Sequence, residues 1–150
     1  MARLKSLRVF VIVVLALLAL QFELGMAVNL SPSLEEVPPL ASTFGAIWGA
    51  LAKVGGDALG HALLGSLLTV VALAQLFLAV TSGSRSVSVI GAFCFLGMLL
   101  ATVNGVLFTL SGFKNDGYSH GMATTFIVTF SLHFILLCIL SVKLRRLMNA

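Results

Sequence analysis

Residues 57–81 read DALGHALLGSLLTVVALAQLFLAVT, and this stretch decides the class of fold. Asp57 carries its only charge, and the rest of the stretch is dominated by leucine, alanine and valine. A helix that crosses a bilayer needs about 20 consecutive residues that are predominantly apolar. The stretch therefore predicts a membrane-spanning helix. Comparable stretches at about 9–28, 87–113 and 119–142 predict three more, so that residues 1–150 form a single four-span domain.

The overall composition points to the same class of protein. Of the 150 residues, 59% are hydrophobic and 9% are charged, whereas a soluble domain carries about 25% charged residues. The net charge is +4, but the basic residues lie at the ends of the apolar segments, where membrane topology accounts for them. We therefore expect the lipid bilayer as a partner, with other membrane subunits or further copies of this chain as additional candidates, and no nucleic acid.

The longest connection, residues 29–56, predicts a further short helix. It opens with a proline-rich polar run and continues as ASTFGAIWGALAK at 41–53. Phe44, Ile47, Trp48 and Leu51 have the spacing of one helical face. The expected fold is thus an all-α, antiparallel four-helix membrane bundle with a short outer interfacial helix, anchored at the membrane surface by Trp48.

The distribution of charge predicts the orientation. One side of the membrane receives seven basic residues and no acid, namely Arg3, Lys5, Arg8, Arg85, Lys143, Arg145 and Arg146. The other side receives two lysines and four acids, namely Lys53, Lys114, Glu35, Glu36, Asp57 and Asp116. Because basic loops stay inside, we expect a multi-pass protein of the cell membrane with both termini in the cytoplasm.

The first segment has an alternative interpretation. Three basic residues followed by VFVIVVLALLAL also fit a signal peptide cleaved after residues 26–27. Gln21 and Glu23 continue the segment with polar residues that a signal peptide would not need. We therefore favour a retained helix.

Two histidines are the candidate functional residues. His61 and His120 lie near the outer starts of the second and fourth segments, which enter the membrane from the same side and at matching depth. A histidine within the membrane is costly and usually has a function, and neutral imidazole is a common axial ligand of haem iron. We predict that they are a pair of axial ligands. The alternative is two interfacial histidines that make ordinary hydrogen bonds.

Small residues at comparable depth extend the predicted site. They are expected to shape a slot for the flat cofactor, and the full predicted set is His61, His120, Gly60, Gly65, Gly121, Asn104 and Gly25. The same glycines are equally typical of helices that pack closely without any cofactor.

His133 lies about 20 Å deeper than His120 and is expected to pack or hydrogen-bond. The alternative for His133 is a second haem shared with another subunit.

This arrangement resembles one four-helix half of haem A synthase. The resemblance rests on LQFELG at 20–25, DALGH at 57–61, NGVLFTLSG at 104–112 and YSHG at 118–121. Each half of that family carries a histidine near the outer end of its second and fourth helices. The resemblance implies that His61 and His120 face a haem, and that half-length chains assemble as oligomers.

The chain also departs from that family. The catalytic half has a glutamate three residues before its second-helix histidine, where this chain has Ala58 and places Asp57 one residue earlier. Asp57 shares a helical face with His61 and is either its hydrogen-bond partner or a first-turn acid favoured by the helix dipole. The family's outer cysteine pair is missing, since Cys94 and Cys138 fall inside apolar segments.

These observations favour a b-type haem protein that transfers electrons near the outer face, alone or as a subunit of a respiratory complex. A cofactor-free structural or assembly subunit is one alternative, and a half-size haem-modifying enzyme is another. No catalytic residue is assigned from the sequence, and whether the protein is an enzyme is left open.

Overall fold

The computed structural model describes residues 2–30 and 44–149. This part of the chain forms five helices: α1 (Ala2–Asn29), α2 (Phe44–Val54), α3 (Gly56–Val80), α4 (Arg85–Leu110) and α5 (Asp116–Met148). It contains no strand, so the prediction of an all-α fold is confirmed. The proline-rich part of the predicted outer loop lies outside the described residues.

Four of the helices, α1, α3, α4 and α5, are long and apolar enough to cross a membrane. α1 and α5 extend beyond the predicted apolar segments because the helix continues through the flanking basic residues, and Lys and Arg are good helix formers. α4 ends at Leu110, before the predicted end at 113. Gly112 and Phe113 have φ of 67° and 61°, a left-handed conformation that stops a helix.

The half of the molecule near the two chain termini, which the charges predict to be the inner half, has a core that draws on all four long helices. A cluster of fully buried side chains joins Leu7 and Val11 of α1, Ala79 of α3, Val87 and Cys94 of α4, and Leu136 and Leu140 of α5. Other large apolar side chains remain exposed, for example Val70 at 66% and Phe77 at 69%. Exposed apolar side chains of this kind suit contact with lipid.

Close contacts fix how neighbouring helices align. The hydroxyls of Thr69 in α3 and Thr102 in α4 lie 2.7 Å apart. Further along α3, the Cβ of Ala79 lies 2.7 Å from where a Cβ on Gly91 of α4 would stand. Higher residue numbers of α3 thus stand beside lower residue numbers of α4, so the two helices run in opposite directions. The contact between Gly97 of α4 and Thr129 of α5 fixes the level of the next helix.

α2 packs across the ends of the long helices that the charges predict to be the outer ones. Ala50, Leu51 and Val54 form a buried cluster with Val28 of α1 and Ala58 of α3. Ile47 and Trp48, from the predicted apolar face, pack against the same cluster. That face therefore contacts the protein, while the role of Trp48 as a membrane anchor stays a prediction. The side chain of Phe44 lies outside the described part.

Candidate functional site

The half of the molecule that holds α2 contains a cavity of about 430 Å³. We call it the outer cavity, after the orientation that the charges predict. Residues from all five described helices line it, and most of its wall is apolar. Its volume falls within the roughly 300–1,000 Å³ of small-molecule sites in proteins. The side chains in its wall that can bind a ligand or a metal include Gln21, His61, Met98, Thr102 and Met122.

His61 is held by one residue of the neighbouring helix, Gln21. The Nδ1 atom of His61 lies 3.1 Å from the backbone carbonyl oxygen of Gln21. Since a carbonyl oxygen only accepts hydrogen bonds, we assign the ring proton to Nδ1. Nε2 then accepts a hydrogen bond from the side-chain Nε2 of Gln21 at 3.2 Å. The same amide nitrogen donates to the backbone carbonyl of His61 at 3.1 Å.

Two of the predicted glycines make room for this pair, and both line the outer cavity. A Cβ on Gly25 would lie 2.9 Å from Cε1 of His61, and a Cβ on Gly65 would lie 3.1 Å from Nε2 of Gln21. Both distances are shorter than ordinary contacts. Gly60 differs, because its nearest neighbour is Cδ1 of Leu24 at 3.9 Å. Gly25 thus leaves room for His61 and Gly65 leaves room for Gln21, whereas Gly60 serves neither side chain.

The structure does not bring His120 to the cavity. His120 is exposed and is not among the residues of the cavity wall. It precedes the buried Thr129 by nine residues, which is about 180° around a helix, so that the two lie on opposite faces of α5. The residues of α5 that reach the cavity are Met122, Ala123 and Phe126. The predicted facing pair of imidazoles is therefore not formed in this structure.

Asn104 and Gly121 contact each other, whereas the sequence predicted that they shape the slot for the cofactor. A Cβ on Gly121 would lie 2.8 Å from Oδ1 of Asn104, and Nδ2 of Asn104 donates to the carbonyl of Leu100 at 2.9 Å. Neither residue lines the outer cavity. They pack α4 against α5 beside it.

Among the described residues of the cavity wall, His61 supplies the one imidazole, so two imidazoles cannot hold a haem there. The residues of the cavity wall with imidazole or thioether groups are His61, Met26, Met98 and Met122. Among the described residues, no group of three or more His, Cys, Asp or Glu is placed to hold a metal ion. Asp57 is exposed, and both ring nitrogens of His61 are bonded to Gln21. Of the two alternatives for Asp57, the hydrogen bond to the imidazole is not formed, and Asp57 lies in the first turn of α3.

The partner of His61 that sequence reasoning missed is Gln21. Its signal was present, since an amide side chain in an otherwise apolar segment needs a hydrogen-bonding partner. Glu23, two residues later, is exposed and forms no part of the cavity wall.

No protein family, curated protein or solved structure matches this chain. The resemblance to half of haem A synthase stays a prediction.

Proposed function

We propose that this chain is a multi-pass membrane protein that binds a b-type haem in the outer cavity, with His61 as an iron ligand. In the bilayer, its four spans form an antiparallel bundle with both termini in the cytoplasm. The observation that carries the proposal is the position of His61 in the wall of a largely apolar cavity bounded by all five described helices. A haem would supply one-electron chemistry, so the function is electron transfer, alone or within a respiratory complex.

The hydrogen bonds of His61 support a ligand role. Metal-binding histidines almost always donate their second ring N–H to a carbonyl or carboxylate, which fixes the ring and its tautomer. Nδ1 of His61 has such a partner in the backbone carbonyl of Gln21. Nε2 accepts only a neutral hydrogen bond from the Gln21 amide, which contributes about 1 kcal/mol. An iron ion would replace that one weak bond at Nε2.

The residue that would hold the haem together with His61 distinguishes two versions of the proposal. The sequence predicts His120, whereas the cavity wall contains three methionines, Met26, Met98 and Met122. Methionine and histidine together ligate haem in some electron-transfer proteins. The contact of Thr69 with Thr102 puts Met98 roughly 18 Å deeper than His61, too far for both residues to hold one iron. We therefore propose that Met122 or Met26, rather than His120, would hold the haem together with His61.

Absorption spectra of the protein purified from haem-supplied membranes test this function. The wild type is expected to show a Soret band, and His61→Ala is expected to lose it. His120→Ala is the matched control, since it removes an outer histidine that does not line the cavity, and it is expected to keep the band. A His61→Ala variant that folds and retains the full Soret band contradicts the proposal.

A cofactor-free assembly subunit is the second candidate, and one observation favours it. Gln21 satisfies both ring nitrogens of His61 without any ligand, so the contact between α1 and α3 is complete as it stands. Under this candidate the purified wild type is colourless even when haem is supplied. The half-size haem-modifying enzyme has less support, because the acid it requires near His61 is absent from the described contacts of that residue.

A further inference from the structure

A second group of polar residues lies deeper in the protein, away from the outer cavity. It consists of Gln75 on α3 and of Thr129 and His133 on α5, which we call the core polar layer. Their exposed fractions are 0%, 1% and 0%. None of the three lines the outer cavity.

The helix alignment places these residues at one depth. The two contacts between α3 and α4 described above put Gln75 opposite residues 95–96 of α4. The contact of Gly97 with Thr129 puts that level of α4 opposite the part of α5 between Thr129 and His133. With a rise of about 1.5 Å per residue, Gln75 lies within about one helical turn of both residues along the membrane normal.

The polar atoms of this layer have unmet hydrogen-bonding capacity. Among the described residues, five buried side-chain nitrogen or oxygen atoms lack a partner. Four of these five atoms belong to the core polar layer: Nε2 and Oε1 of Gln75, Oγ1 of Thr129 and Nε2 of His133. Buried polar atoms are nearly always hydrogen-bonded to protein or to ordered water. Four such atoms at one level therefore indicate a shared partner.

The chemistry of the four atoms suits water. Nδ1 of His133 donates to the carbonyl of Thr129 at 2.8 Å, so in the neutral ring Nε2 is an acceptor. Gln75 offers an acceptor at Oε1 and donors at Nε2, and Thr129 offers a hydroxyl. A water molecule donates two hydrogen bonds and accepts two, and a buried water typically makes about three.

We propose that the core polar layer binds water inside the membrane-spanning part of the protein. A bound water donates to Nε2 of His133 and to Oε1 of Gln75, and it accepts from the Thr129 hydroxyl or the Gln75 amide. This site is separate from the outer cavity and does not depend on haem binding. It links α3 and α5 through a polar bridge where the rest of the buried core is mainly apolar.

Water-edited solid-state NMR of the labelled wild-type protein in bilayers tests the proposal. Polarisation is expected to pass from water to the His133 ring nitrogens and the Gln75 amide faster than to the buried Leu136 and Leu140. Gln75→Leu is expected to slow the transfer to His133, whereas Thr69→Val, a polar-to-apolar change at another level of α3, is expected to leave it unchanged. Transfer to His133 as slow as to the two leucines overturns the proposal, including the case in which Gln75 and His133 bond directly without water.

Thermal unfolding of Gln75→Leu gives an independent test. The expected change in melting temperature has one sign if the layer is hydrated and the opposite sign if its atoms have no partner. If the layer is hydrated, Gln75→Leu leaves the water and His133 with fewer partners, and the melting temperature falls by several degrees. If the layer is dry and its atoms have no partner, the same change removes two unpartnered atoms, and the melting temperature rises. A rise overturns the proposal.

Discussion

Gln21 and His61 are joined by three hydrogen bonds that connect α1 to α3 in the outer half of the protein. Two of them come from the side-chain amide of Gln21 and one goes to its backbone carbonyl. Interhelical hydrogen bonds in membranes contribute about 0.6 kcal/mol on average and up to about 1.7 kcal/mol. The pair therefore fixes both the helix contact and the direction of the imidazole.

The first prediction separates stability from haem binding by changing Gln21 to leucine. Gln21→Leu removes the two bonds of the amide and keeps the backbone bond to Nδ1, so we expect the apoprotein to lose about 1–2 kcal/mol of stability. Because Nε2 of His61 then has no competing donor, haem affinity is expected to rise. Denaturant unfolding and haemin titration measure the two effects. Unchanged stability together with weaker haem binding would show that Gln21 does not act through His61.

A second prediction compares two glycines that the sequence alone treats alike. Gly25→Ala places a Cβ 2.9 Å from Cε1 of His61, and we expect a loss of about 1–3 kcal/mol as the imidazole is pushed aside. Gly60→Ala meets nothing closer than Leu24 at 3.9 Å. It is expected to be neutral or to stabilise the helix by up to about 1 kcal/mol. Equal melting temperatures for the two variants would contradict the placement of His61 against Gly25.

A third prediction concerns the contact between α4 and α5. A Cβ on Gly97 would collide with the hydroxyl of Thr129 and would lie 3.7 Å from its Cα, so Gly97→Ala is expected to destabilise the fold by about 1–3 kcal/mol. Adding Thr129→Ala removes the hydroxyl and is expected to recover part of that loss. The double-mutant cycle measures this coupling. Strict additivity of the two changes would argue against the close contact.

The fourth prediction tests the orientation in the membrane. In a protein with Cys94→Ala and Cys138→Ala, single cysteines are placed at exposed positions at opposite ends of α4, as Ser86→Cys or Lys114→Cys. Intact cells are treated with a membrane-impermeant thiol reagent. Because basic loops stay inside, Lys114→Cys is expected to react and Ser86→Cys to react only after lysis. The reverse pattern would place the termini outside the cell.

The number and approximate limits of the long helices followed from the sequence because each apolar run has the length of a membrane span. The rotation of each helix did not follow. In a membrane, side chains that face lipid are as apolar as those that face the core, so hydropathy does not mark the buried face of α5. The sequence therefore predicted a depth for His120 but not its face: His120 lies on the face of α5 that points away from the buried Thr129.

The short helix α2 shows the contrasting case. Its apolar residues alternate with small ones, and the face predicted from Ile47, Trp48 and Leu51 is the face that contacts the protein. Gln21 did not follow from the titratable residues of the sequence, because its amide has no charge and binds the imidazole through neutral hydrogen bonds. Pairing each polar residue of one segment with those at equal depth on its neighbours would have proposed Gln21 and His61 as partners.

The most direct test of the haem proposal fills the outer cavity without changing His61. Ala101 lines the cavity, and Ala101→Phe occupies part of its volume. Ala74→Phe adds the same group at an exposed position of α3 and serves as the control. In a haemin titration of the folded apoproteins, Ala101→Phe is expected to weaken binding at least tenfold while Ala74→Phe binds like the wild type. Equal affinity for all three proteins would contradict a haem site in the outer cavity.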